Sequence, residues 1–308
     1  MTNGAAAARS KRSIALRFVV SVTVFAWIAS RIDWRAVASF ARHISIAWTL
    51  LAFAAFLPTL LLNTRRWQIL LRGQNVALPF ARAFELMMIG QFFNAFLIGT
   101  TGGDVARAIY LGREESDGKT AGLSVIGDRL LGAAALSTLV LIVGAIRFRF
   151  FTSNAAAQTI FAAAMLLAAG VLFATLIAAS PLVDRVRRLA SWRAPLANRS
   201  IVARAYVLSI GSHLIHMLLS YSVARAVQMP IDFVTLITIS PLVALLASLP
   251  ISIQGLGIRE GVSTVLFGVA GVRAEQSVLF ALGLLLVTLA WSAIGGVIFV
   301  ARPQARAR

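Results

Sequence analysis

The sequence contains no cysteine and only three histidines in 308 residues. Without cysteine there is no disulfide framework, no thiolate nucleophile and no cysteine metal site. Two of the histidines, His213 and His216, stand three residues apart without acidic neighbours. That is a poor metal site, and neither metal nor cofactor is expected. Acidic residues are scarce as well: 11 against 29 lysines and arginines, for a formal net charge of +18. Charged residues of both signs make up 13% of the chain, while 59% is hydrophobic. A soluble domain of this length needs more polar surface than that. No P-loop signature is present, so ATP is not the expected energy source. Serine, histidine and aspartate occur, but no nucleophile elbow or similar local signature accompanies them, and the chain does not read as an enzyme.

What fills the sequence instead is apolar runs. "AAAMLLAAGVLFATLIAAS" at 162–180 is one of several that reach the ~20 residues needed to cross a bilayer's hydrocarbon core. The longest stretch without such a run, 181–204, is too short for a soluble catalytic module. The expected fold is an all-α, polytopic membrane bundle forming one domain over 1–308, with about seven to eight spans. The spans are read at 14–30, 46–63, 120–146, 156–180, 204–227, 233–250 and 275–300. The first begins like a signal peptide but lacks a small-residue cleavage site, so it reads as an uncleaved span.

Two further segments, 81–101 and 251–272, are polar or glycine-broken and too short for a plain crossing. Their place follows from the basic loops. Arg9, Lys11 and Arg12 put the N-terminus in the cytoplasm, and the arginines of the 63–82 and 181–204 loops belong on the same side. The 63–82 loop reaches it after two spans, and the 181–204 loop reaches it only if 81–101 enters and leaves by one face. The excess basic charge therefore reads as loops on the cytoplasmic side of a cell (inner) membrane, contacting anionic lipid rather than nucleic acid. Each half of the chain carries one interrupted segment followed by charge, "IGTTGGDVAR" and "ISIQGLGIRE". Paired interruptions of this kind point to a transporter's binding site.

Irregular backbone facing lipid leaves unpaired polar groups, so 99–103 must be buried in protein or line a wet cavity. Asp104 can then cap a helix over about 105–111 that Gly112 ends. Arg107 falls one turn later on the same side. The pair is either a cap with a local ion pair or, with the helix N-terminus, a phosphate site. Asp128 lies near the middle third of its helix on a face of small residues, Ala121, Ser124, Gly132 and Ala135. An acid that deep marks either a structural ion pair or a functional site. Its neighbour Arg129 points about 100° away. Tyr206, Ser209, His213, His216 and Ser220 share one helix face, as inter-helix hydrogen-bonding groups or as a polar path. Arg66 and Trp67 fit interfacial anchoring or a headgroup contact. Arg259 and Glu260 repeat the charge-after-glycine pattern.

"RRWQILLRG", "GQFFNAFLIGTTGGDVARAIYLGR", "VIGDRLLG" and "SLPISIQGLGIREG" together resemble the landmarks of the lysylphosphatidylglycerol synthase transmembrane-region family, the flippase-like domain of the multiple peptide resistance factor. The resemblance covers about 14–300. It implies a multi-helix membrane fold with re-entrant elements that moves lipids between leaflets. It places Arg66, Trp67, Asn94, Gly102, Gly103, Asp104, Arg107, Asp128, Arg129, Pro250, Gln254, Gly255, Gly257, Arg259 and Glu260 at or beside the lipid-binding positions. Ile98 stands where the pattern has proline, and Gln254 where it has glycine. The synthase domain is absent, so aminoacyl transfer is not implied. The expected function is transport of an amphipathic lipid: a phospholipid, glycolipid, hopanoid or lipid-linked sugar. The partners are membrane lipids and enzymes of a lipid or glycan pathway of the bacterial envelope. An intramembrane transferase using a lipid-phosphate donor, and a scaffold for such a pathway, are the alternatives.

Overall fold

The structure is a computed structural model that describes residues 35, 42–96, 102–115, 117–181, 183, 195–249 and 257–301. The span expected at 14–30 lies outside them, as do Pro250, Gln254 and Gly255. Ten helices occur among the described residues: α1 (Ile46–Arg72), α2 (Phe80–Phe96), α3 (Gly102–Glu115), α4 (Gly118–Ile146), the single turn α5 (Phe148–Phe151), α6 (Ala155–Ala179), α7 (Arg199–Ala226), α8 (Phe233–Ala247), α9 (Ile258–Val269) and α10 (Ala274–Ala301). The chain is an all-helical membrane bundle. Five helices, α1, α4, α6, α7 and α10, are long and apolar enough to cross a membrane, at 25–29 residues each.

Local chemistry sets several of the boundaries. Asn154 and Asn198 cap α6 and α7, each side chain accepting two backbone N–H groups of the first turn. Asp117 does the same for α4, from Lys119 and Thr120 at 3.0 Å. The six bonds satisfy donors that helix starts otherwise leave unpaired. Gly271, at φ +77°, turns the chain between α9 and α10.

Three elements differ from the sequence reading. The first described span does not stop near residue 63 but continues to Arg72, which carries Arg65, Arg66 and Trp67 on helix rather than loop. The 233–250 segment is a helix of only 15 residues, too short to count among the five. Asp104 does not cap α3, which starts at Gly102 and runs through Gly112 to Glu115. Asn94 of α2 supplies the cap, its Oδ1 accepting from the Gly103 N–H at 2.8 Å. Two arginines claim the Asp104 carboxylate instead.

Small residues decide which helices meet closely. A Cβ at Gly295 of α10 would stand 2.2 Å from the Met88 carbonyl oxygen of α2, and one at Gly103 would stand 1.8 Å from that of Gly90. α2 is therefore held between α10 and α3 by backbone contact that only glycine permits. α1 and α7 form the most extensive helix pair, joined by a Ser212–Asn63 hydrogen bond of 2.9 Å. Trp291 of α10 stacks on Phe53 and Phe56 of α1 and donates to the Phe53 carbonyl at 2.9 Å. Large apolar side chains such as Leu166, Phe173, Leu176 and Val300 point outward, as a lipid-facing surface requires.

Candidate functional site

α2 and α3 form an antiparallel hairpin. At its closed end Asn94 holds Gly103; at its open end Arg82 of α2 pairs with Glu114 of α3. Hydrogen bonding to Glu114 is the chief cause that raises the Arg82 pKa above its ordinary value. The hairpin presents Asp104 and Arg107 to α4, and a row of alternating charges results. Arg66 Nε of α1 donates to Asp128 Oδ1 of α4 at 2.7 Å. The second oxygen of Asp128 accepts from Arg107 Nη1 at 3.3 Å. Arg107 Nη2 donates to Asp104 at 2.7 Å, and the other Asp104 oxygen accepts from Arg129 Nε at 2.7 Å.

The row runs from the buried core toward open space. Arg66, Asp128 and Arg107 are all buried, whereas the Arg129 side chain is 54% exposed. Its supports are specific. Trp67 lies under the Arg107 guanidinium, 5.0 Å from its ring centroid, and donates to Ser124 at 3.1 Å. Ser209 accepts from Arg66 Nη1 at 3.2 Å. Gly132 leaves room for the Arg66 guanidinium and Gly90 for the Arg107 stem, since a Cβ at either would press on them at 3.0 Å or less. The small-residue face of α4 thus admits an arginine and an indole, both from α1.

Beyond Arg129 the row opens into a cavity of about 540 Å³, walled by α2, α3, α4, α7, α8, α9 and α10. Its polar lining is Gln91, Asn94, Asp104, Arg129, His216 and Arg259, with hydroxyls of Ser220, Ser240, Ser248 and Thr288. Its apolar lining comes from Val243, Ala244, Ala247, Phe267, Phe280 and Leu284, interleaved with those hydroxyls on α8 and α10. Among the described residues the Ser240 hydroxyl has no hydrogen-bond partner.

The cavity joins the two halves of the chain. Asp104, Arg129 and Asn94 reach it from the first half and Arg259 from the second. Glu260 is 1% exposed and folds back, accepting from the Gly257 N–H at 2.6 Å. Gly257, at φ +85°, takes a backbone conformation suited to glycine. Gly102 and Gly103 start α3, and Arg66, Trp67, Arg107 and Asp128 stand behind the wall as the buried part of the row.

The polar face of α7 divides. Tyr206 meets Thr138, Ser209 meets Arg66 and His213 meets the Gly132 carbonyl at 2.9 Å, all contacts between helices. His216 and Ser220 face the cavity. Nothing local marks Ser240, Ser248 or Thr288, isolated hydroxyls in apolar stretches, and Gln91 stands out in the sequence only as a polar residue of the short 81–101 segment. In the sequence Ser124 stands out only as a small residue, and nothing local marks Gly90. Among the described residues no group of three histidines, aspartates or glutamates is placed to hold a metal ion.

An 89-residue stretch, 28% of the chain, is 32% identical to UPF0104 membrane protein PH1989 of Pyrococcus horikoshii, and the match spans 27% of that relative's length. The family model for the lysylphosphatidylglycerol synthase TM region matches residues 14–296, and the chain belongs to that family.

Proposed function

We propose that the protein is a non-enzymatic transporter that moves an amphipathic lipid between the leaflets of a bacterial inner membrane. The observation that carries this reading is the cavity itself, where charged groups beside both glycine-rich links meet inside a bundle of spanning helices. A headgroup entering hydrocarbon bare loses its water at a cost of many kcal/mol. Guanidinium, amide and hydroxyl groups in the lining substitute for that water, and the apolar groups among them suit the proximal chains. In this reading α2 and α3 are re-entrant. At 17 and 14 residues they extend about 25 and 21 Å, short of a 30 Å core, and Arg82 with Glu114 closes the end that stays at the membrane surface. The N-terminus is then cytoplasmic. A transferase would need a base on the cavity wall; Asp104 is engaged by two arginines and Glu260 by backbone, which leaves His216.

The test is leaflet exchange in liposomes carrying the purified protein and acyl-labelled lipids, followed by a membrane-impermeant quencher. The protein is expected to speed exchange, and Asp104→Asn to remove most of the gain. Equal rates with and without the protein would overturn the proposal.

A further inference from the structure

Histidine is the side chain that ordinarily changes charge between pH 5 and 8. The chain has three. His43 is exposed outside the helices, and the other two lie inside the bundle on α7. His213 is committed: its Nε2 donates to the Gly132 carbonyl at 2.9 Å. His216, one turn on, is half-buried and lines the cavity, and among the described residues no hydrogen bond engages its ring.

Charging that ring inside the bundle is costly unless a counter-charge is at hand. Among the described residues each carboxylate near it is already engaged. α7 packs on α1, α4, α8 and α10. α1 brings Arg66, and α4 brings Arg129 and Asp128, whose two oxygens accept from Arg66 and Arg107. α8 has no ionisable residue, and Glu275, the one of α10, pairs with Arg273 at the start of that helix. From α3 Asp104 accepts from Arg107 and Arg129, and from α9 Glu260 accepts from the Gly257 N–H. His213 and Arg259 are the groups whose charge reaches the ring. A proton on His216 is therefore held well only while an occupant of the cavity brings its own negative oxygen.

We propose that a proton is the second ligand of the cavity: His216 takes it up together with the acidic group of the transported lipid, and the two cross together. Each ligand then tightens the other by the same factor. A pH difference across the membrane becomes the driving force, in a chain that carries no ATP-binding signature. The co-transport rests on the transport reading, whereas the proton site is tested without it.

The first measurement is thermal stabilisation of the full-length protein in detergent by short-chain phosphatidylglycerol, a probe whose own charge is constant between about pH 5.5 and pH 8. The wild type is expected to bind it about tenfold more tightly at the acid end, the scale of one linked proton over one pH unit. His216→Gln is expected to bind equally at both ends, and His213→Gln and His43→Gln to keep the tenfold difference. An uncharged monoacylglycerol should show no such dependence. Binding that ignores pH in the wild type, a dependence that survives His216→Gln, or one that His213→Gln removes overturns the proton site. In liposomes, an exterior one pH unit more acid than the interior is expected to hold acyl-labelled lipid up to about tenfold richer in the inner leaflet, at one proton per lipid, until a protonophore abolishes the difference. Exchange without that asymmetry overturns the co-transport and spares the transport reading. Proton-linked binding without any exchange supports the proton site and overturns the transport reading.

Discussion

At the start of α3 the acid and the arginine stand three residues apart, Asp104 and Arg107; at the start of α9 they are neighbours, Arg259 and Glu260. Three residues along a helix bring two side chains to one face, and Asp104 and Arg107 pair there at 2.7 Å. Neighbours diverge by about 100°. Glu260 therefore turns back to the N–H of Gly257, while Arg259 reaches the cavity. One half of the molecule uses its acid to join helices, and the other uses it to cap one. Similar composition after a glycine-rich link does not fix the role of a carboxylate; the spacing to the next arginine does.

Substitutions in the two regions sharpen the contrast. The largest effect is expected from Asp128→Ala, which leaves Arg66 and Arg107 buried against each other. Removing one partner of a buried ion pair costs about 3–5 kcal/mol, read as lost thermal stability or yield of folded protein in detergent. Asp104→Ala should cost less, about 1–3 kcal/mol, because Arg107 keeps Asp128 and Arg129 is half exposed. A reversed order would break the view that the row is anchored at its buried end.

The next test concerns backbone contact. Gly103→Ala places a methyl 1.8 Å from the Gly90 carbonyl oxygen, and overpacking of that kind costs about 1–3 kcal/mol or more. Gly268→Ala in α9 meets open space and should be neutral within about 0.5 kcal/mol. Denaturation midpoints of the two variants compare the seams directly.

Glu260→Ala, which removes a cap, should cost about 1 kcal/mol, while Glu260→Gln keeps an acceptor for Gly257 and should cost less. Equal losses from the two would mean that the charge, not the hydrogen bond, matters at α9.

The smallest effect is at Asp117. Hydrogen bonds from Thr120, side chain first and then backbone, hold its pKa below the usual carboxylate range. A depressed value means that the charged cap favours the folded state above the unfolded pKa of about 3.9, and that this contribution fades as pH falls through the lower folded value. Asp117→Asn should flatten that acid limb slightly, visible in thermal scans below about pH 4.

Much of this was legible in the sequence, and the part that was not has a common cause. Helical period placed Ala121, Ser124, Asp128, Gly132 and Ala135 on one face, and the structure uses that face to admit Arg66 and Trp67. The spacing of Asp104 and Arg107 announced their contact. No local pattern could pair Arg66 with Asp128, 62 residues on, or send Arg129 to Asp104 instead of its neighbour. The first is a meeting of α1 with α4, and the second depends on where α3 sits along α2, which is set where Gly90 meets Gly103. Asp104 has the residue type of a cap for α3, but an amide on the facing helix, Asn94, is better placed to accept the free N–H.

Alternation along the row from Arg66 to Arg129 also constrains how this chain can vary over time. Every member except the last touches two opposite charges or a charge and a hydroxyl, so a lone change strands its neighbours. Apolar replacements at Arg66 and Asp128 should therefore be tolerated only when they arrive together, whereas the rim position, half exposed and singly held, is free to drift by itself.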